Sequence, residues 1–286
     1  MEKSVSVSEK NRGRLMILGT ALLWGLAGVC VKSICWNSMS IMAVRSLVSL
    51  LTMAAVRKSF RVRLTKKNAI CAALAASTGI LYMMGIKNTT AGTAIVLQYT
   101  APILILIFNI IFFHKKPDAK EIIIVIAVFF GCVLSFADDI GSGHMLGNIL
   151  SLASGVTYAV QIMMFSRDGV DSEDCIMLSN MIGFAVSVPF AFFDKGIADT
   201  TSTTLIWLAV MCIFQYSVAN ILYSRGCKLV SDIECALLMT VEPIFNPIPV
   251  AIFCGETMGR KALIGFVIVI AGILVYTLTS QKQKAG

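Results

Sequence analysis

The stretch Tyr82-Met83-Met84-Gly85-Ile86-Lys87-Asn88-Thr89-Thr90 returns 141 residues later as Tyr223-Ser224-Arg225-Gly226-Cys227-Lys228-Leu229-Val230-Ser231. Tyrosine, glycine, lysine and a hydroxyl residue recur at the same places. Without a gap, the same offset sets Pro102 on Pro243, Lys120 on Lys261 and Gly131 on Gly272. An offset of 134 sets Gly13 on Gly147, Leu18 on Leu152 and Trp24 on Tyr158. The chain reads as two copies of one unit.

Around this pair the sequence is a succession of apolar runs. Of 286 residues, 57% are hydrophobic and 14% charged, against about 25% charged in soluble domains, so lipid is the solvent this composition suits. A helix needs about 20 apolar residues to cross a hydrocarbon core of about 30 Å. Such runs fall at 14–34, 40–57, 69–86, 89–113, 121–137, 145–165, 175–193, 204–224, 232–254 and 261–279. Ten spans leave short loops and no room for a separate soluble domain. The first run follows Lys10, Arg12 and Arg14 as a secretory signal would, but it exceeds a signal core of about 7–15 residues and reads as a retained helix.

The offsets lay spans three to five on spans eight to ten, and span one on span six. Five spans per copy is an odd number, so the second copy enters the membrane from the opposite face. The expectation is an all-α integral membrane protein with ten transmembrane helices as two inverted five-helix repeats. A tail covers 1–13, the repeats cover 14–140 and 141–280, and a second tail covers 281–286. Sites in such folds lie near the midplane between the halves.

With the N-terminus inside, eighteen Lys and Arg residues fall on the cytoplasmic side, including Arg57, Lys58, Arg61, Arg63, Lys66 and Lys67. Lys32, Lys87, Lys195, Arg260 and Lys261 fall outside, and Arg45 lies within a span. The positive-inside bias predicts a multi-pass protein of the inner (plasma) membrane with both termini cytoplasmic. Asp168, Asp171, Glu173 and Asp174 around Arg167 run against this trend, but acidic residues weigh little in orientation. The net charge of +8 is thereby explained without nucleic acid.

Nine cysteines, at positions 30, 35, 71, 132, 175, 212, 227, 235 and 254, show no C-x-x-C spacing, so metal and redox sites are unsupported. His114 and His144 belong to no H-E-x-x-H motif, and neither G-x-S-x-G nor a Gly-rich phosphate loop occurs. The reading is no catalytic residue, no cofactor and no metal, hence no enzyme and no direct use of ATP.

The run from Tyr82 through Gly85, Lys87, Thr90 and Gln98 to Pro102 resembles the span three to four signature of EamA-type transporters in the drug/metabolite transporter superfamily. Glu242-Pro243-Ile244-Phe245-Asn246-Pro247, followed by Cys254-Gly255-Glu256, is similar to its counterpart in the second copy. The resemblance extends from about Gly13 to Thr279. It implies a secondary carrier, commonly an exporter of amino acids or similar metabolites. The chain departs from the pattern in one place: many relatives carry Glu at the end of span four as well as span nine, whereas here span four ends Phe113-His114-Lys115-Lys116. Whatever that Glu does, only the second copy can do it here.

Ionisable groups inside spans cost about 2.5–3.5 kcal/mol at a helix centre, so they face a cavity or a partner. Glu242 stands near the middle of span nine before Pro243, whose missing amide frees backbone carbonyls and kinks the helix. It binds an amine or a proton, or it serves the kink. Arg45 forks onto a substrate carboxylate or snorkels to the outer interface; pairing with Glu242 is a further option. Lys32 reads as a solvated interfacial lysine. Trp24, Tyr82, Gln98, Tyr99, Tyr158, Gln161, Asn180, Gln215, Tyr216 and Asn220 either line a cavity or pack helices by hydrogen bonds. The substrate-binding set chosen by depth is Trp24, Arg45, Tyr82, Tyr99, Tyr158, Gln215 and Glu242. Gly25 to Gly28 and Gly79 to Gly85 serve close helix approach.

The expected function is alternating-access export of amino acids or related small metabolites. The alternatives are import of a small nutrient, export of organic cations or drugs attracted by Glu242, and, last, a non-transport membrane protein. Expected partners are a small-molecule substrate and the lipid bilayer, with proton or substrate exchange as coupling and a monomer or homodimer as the unit.

Overall fold

The computed structural model describes residues 7–114, 119–137, 143–165, 169–227, 229–230, 235 and 238–285. Every element among the described residues is helical. Span one is α1 (Val7–Trp24) and α2 (Ala27–Ser33), span two α3 (Ser38–Arg57), and span three α4 (Lys66–Asn88). Span four is α5 (Ala91–Gln98) and α6 (Ala101–Phe113), and span five α7 (Ala119–Ala137). In the second copy, α8 (Met145–Phe165) and α9 (Ser172–Ala191) are spans six and seven. Span eight joins α10 (Ser202–Ala209), a π-helical segment (Val210–Val218) and α11 (Ala219–Gly226). The described part of span nine is α12 (Val241–Phe245) and α13 (Pro247–Cys254), and span ten is α14 (Arg260–Ala285). Among the described residues seven helices are long and apolar enough to cross a membrane, and Ile122–Gly131 and Val241–Cys254 add shorter apolar helices.

Polar residues at the run ends fix where the helices start. The side chains of Asn37, Thr65, Thr90, Asp171 and Thr201 each accept from the backbone N–H three residues on, a cap worth about 1 kcal/mol. The helix that carries span one starts at Val7, ahead of the apolar run expected from 14, and breaks at Gly25–Leu26. Span nine is interrupted at Thr240, just ahead of the turn that holds Pro243, and again at Asn246, ahead of Pro247.

The packing obeys the repeat. Span three packs on span six, and its equivalent, span eight, packs on span one; spans two and seven pair, as do spans five and ten. At the first contact a Cβ added at Gly85 would lie 3.3 Å from Gly147 O, and at its equivalent one added at Gly13 would lie 3.4 Å from Gly226 O. These four glycines are the residues the two offsets superpose. Their missing side chains let the backbones touch, which substitutes for hydrophobic drive where lipid is as apolar as leucine. Lys228 and Ser231, the partners of Lys87 and Thr90, lie outside the described residues.

Phe112, Ile123, Phe129, Phe190, Ile252 and Val267 face outward, as lipid-solvated side chains do. One end of the bundle is tied by Trp36 Nε1 donating to Thr200 Oγ1 at 2.8 Å and Asn37 N donating to Asp194 Oδ2 at 2.8 Å. At the other end Asp174 accepts from Arg57 Nη1 at 2.6 Å and from Arg63 N at 3.1 Å.

Candidate functional site

A cavity of about 140 Å³ lies between the repeats, walled by spans one, two, three and four of the first and six, seven, eight and nine of the second. At roughly 10–15 Å³ per water it would hold on the order of ten waters, the bulk of a small metabolite. Trp24, Arg45, Tyr82, Tyr99, Tyr158, Gln215 and Glu242 all stand on its wall.

Backbone chemistry positions the acid. Pro243 has no N–H for the carbonyl four residues back, that of Met239, and the Tyr99 hydroxyl, from the break between α5 and α6, lies 3.1 Å from that oxygen. The same hydroxyl donates to Glu242 Oε2 at 2.7 Å. Asn246, at the break in span nine, donates from Nδ2 to Gly25 O at 3.1 Å, at the break in span one. The two discontinuities therefore face each other, and irregular backbone beside a cavity is where a membrane fold tolerates it. Glu242 is 5% exposed.

Arg45 is 6% exposed, so the snorkelling reading is corrected. Its guanidinium lies 3.9 Å over the Tyr216 ring and donates from Nη2 to Met42 Sδ at 2.9 Å. Gly79 leaves the room: a Cβ there would fall 2.9 Å from Arg45 Nη2. The ion pairs between described residues are Lys32–Glu256 and Arg57–Asp174; Arg45 does not pair with Glu242, as Tyr99 holds the acid and Tyr216 the base.

Five polar atoms of wall residues are buried without a partner among the described residues: Trp24 Nε1, Arg45 Nε, Tyr82 OH, Gln215 Oε1 and Asn220 Nδ2. Each orphaned polar group costs about 1–3 kcal/mol. All five belong to residues of this one cavity.

The repeat explains which features are shared and which are not. Part of the aromatic wall is symmetric, Trp24 matching Tyr158 and Tyr82 matching Tyr223, whereas Tyr99 and Tyr216 match Thr240 and Ala75. The charges are not: an offset of 134 sets Arg45 against Ser179, and one of 141 sets Glu242 against Ala101. The two charges of the cavity thus have no charged counterpart in the other copy.

The EamA-like transporter family matches the chain twice, over residues 11–137 and 145–278. The chain belongs to this family. It is a multi-pass membrane transporter of the EamA type, and its curated relatives are transporters. The threonine/homoserine exporter RhtA of Escherichia coli (strain K12) is 22% identical over 209 residues, 71% of this chain and 68% of the relative. The uncharacterized inner membrane transporter YicL of Salmonella typhimurium (strain LT2) is 20% identical over 294 residues, covering 95% and 97%. A solved crystal structure shares the fold with a TM-score of 0.65 at 14% identity, over 95% of this chain and 98% of that one.

Within this EamA fold the other sequence candidates divide. Gln98, Gln161, Tyr216 and Asn220 reach the cavity, whereas Asn180 donates to Ser49 Oγ at 3.2 Å between spans seven and two. Lys32 stays partly exposed, is not among the residues lining the cavity, and pairs with Glu256 at 3.0 Å. Tyr223 was legible only as a repeat marker; its ring lies 5.2 Å from that of Trp24 on the cavity wall. Thr78, Ser179 and Met211 also line the cavity, and nothing in the sequence separates them from ordinary span residues.

Proposed function

We propose that this protein is a secondary exporter of amino acids or related small metabolites, working by alternating access of the two repeats about the central cavity. The observation that carries the reading is the pair of buried, opposite charges lining one cavity, Glu242 and Arg45, among unpartnered polar atoms. A zwitterion satisfies them together. Its ammonium lies toward Glu242 and its carboxylate toward Arg45, with the unpartnered polar atoms of the wall serving its remaining donors and acceptors. The likeness to a threonine/homoserine exporter points to a small hydroxy amino acid. Glu242 takes up a proton when substrate leaves it, so that proton or substrate exchange drives turnover. The carrier lies in the inner membrane with both termini cytoplasmic, and tails over 1–13 and 281–286 flank repeats over 14–140 and 141–280.

The aromatic wall around the acid favours a second reading, export of an organic cation, since ring faces attract cations. Reconstituted protein loaded with labelled L-threonine or with tetraphenylphosphonium separates the two. Saturable threonine efflux that excess unlabelled threonine abolishes is the expected result; phosphonium efflux without threonine efflux would replace it with the second reading, and no movement of either would refute both. Metabolite profiling of medium with and without expression then extends the substrate list.

A further inference from the structure

The end of the bundle that holds residues 34–37 and 255–259 carries a charge cluster the cavity does not use. Lys32 Nζ, in the last turn of α2, stands 3.0 Å from Glu256 Oε2, with the two side chains 22% and 21% exposed. The same Nζ donates to Thr89 O at 2.7 Å, and Glu256 Oε1 accepts from Ala91 N at 2.6 Å. Lys87 donates to Ile34 O. The end of span one, the junction of spans three and four, and the turn after span nine therefore meet at one point. Lys32 and Ala91 belong to the first repeat and Glu256 to the second, so the cluster ties the halves together. It does so at one end of the cavity, whose wall residues Val31 and Ile86 directly precede Lys32 and Lys87.

The local sequence builds this contact. Span nine ends at Gly255 with φ of 65°, the left-handed turn that glycine adopts without strain and that closes a helix. The turn carries Glu256 back to the first N–H groups of α5, which lack helical acceptors and favour a carboxylate. At the equivalent place in the first copy the offset of 141 puts Lys115. Its charge is opposite to that of Glu256.

Resting on the alternating-access reading, we infer that Lys32 and Glu256 form a latch that holds this end shut and biases the carrier toward the state open at the opposite end. The pair is partly wet, which suits a contact that must break in every cycle; a fully buried pair would resist separation. It also answers what the glutamate after span nine does in a chain whose first copy lacks it.

The test labels Val31→Cys, placed in the full chain with native cysteines replaced, using a membrane-impermeant maleimide in intact cells and in inverted vesicles. The cysteine should react only from the side away from the latch. Glu256→Gln and Lys32→Gln should each raise latch-side labelling about five-fold, the upper range for an exposed pair, and Lys32→Glu with Glu256→Lys should return it toward the parent. Latch-side labelling unchanged by either single substitution, or already as fast in the parent, overturns the proposal. If the cysteine-replaced chain does not accumulate, amide exchange at Ala91 in the purified native chain and in Glu256→Gln decides: faster exchange in the variant is expected, and equal exchange overturns the latch. L-Threonine efflux is assayed in parallel, and labelling that opens while threonine stays unmoved upholds the latch and removes only the substrate reading.

Discussion

The Tyr99 hydroxyl stands 2.7 Å from Glu242 Oε2 and 3.1 Å from the Met239 carbonyl that Pro243 leaves without a helical donor. One hydroxyl proton cannot serve both oxygens. When Glu242 carries a proton it donates to Tyr99, and Tyr99 turns to Met239; when Glu242 is ionised it competes for the Tyr99 proton. The protonation state is thus wired to the backbone of span nine. Glu242→Gln, whose amide donates permanently, should accumulate as the native chain does but transport without pH dependence, while Glu242→Asp retains part of it. Proteoliposome transport across a pH series checks this, and a Gln variant with native rate and pH profile would leave the glutamate as a structural member of the span.

Tyr99→Phe removes the donor and leaves two buried acceptors bare. At about 1–3 kcal/mol per orphaned group, the detergent-solubilised protein should melt measurably lower. With Glu242→Gln added, the loss should be smaller than the sum of the two single changes, because both act on one network. Additive losses would show that the tyrosine and the acid act separately.

The sequence disclosed the fold because hydropathy counts spans directly and because glycines and prolines, fixed by backbone needs, survive as repeat markers. The acid and the base of the cavity stood out as ionisable residues in apolar runs. Helix faces did not: lipid-facing and packed faces are both apolar, so periodicity carries little information here. The π-helical segment that brings Gln215 and Tyr216 to the wall has no local signature. The pairing of Lys32 was not legible because its partner Glu256 sits in the other repeat, and only the tertiary fold brings them together.

The glycine contacts make a paired prediction. Gly147 and Gly13 occupy equivalent helix crossings, and a Cβ at Gly13 would lie 2.7 Å from Leu229 Cβ. Gly147→Val and Gly13→Val should both cost at least about 1–3 kcal/mol by overpacking and lower the amount of folded protein in the membrane. Gly19, where a Cβ would sit 3.4 Å from a flexible Leu222 terminus, should accept Ala. Fluorescence-detected size exclusion ranks the three, and equal profiles would deny that the glycines set the packing.

Orientation rests on the asymmetry of basic residues. Reporter fusions after Asn11 and after Gln283 should both read cytoplasmic, and fusions within 138–144 external. Termini on opposite faces would remove the five-plus-five reading and, with it, the inverted relation of the repeats.

Arg45 is the remaining element of the cavity, and its neighbours allow its position and its charge to be varied separately. The planar guanidinium stacks on Tyr216 at 3.9 Å and sits over Gly79; lysine keeps the charge but loses the stack and the fork. If Arg45 binds the substrate carboxylate, Arg45→Lys should raise the KM for L-threonine several-fold while sparing kcat, since the charge stays and one hydrogen bond of the fork, worth about 0.5–1.5 kcal/mol, is lost. Gly79→Ala leaves the residue intact and pushes on its Nη2, so it should raise KM in the same direction by a smaller factor. The corresponding amine without a carboxylate, tested as a competitor, should inhibit the native chain and Arg45→Lys equally. A structural arginine would behave otherwise: both variants would lose folded protein, and the KM of what remained would not move.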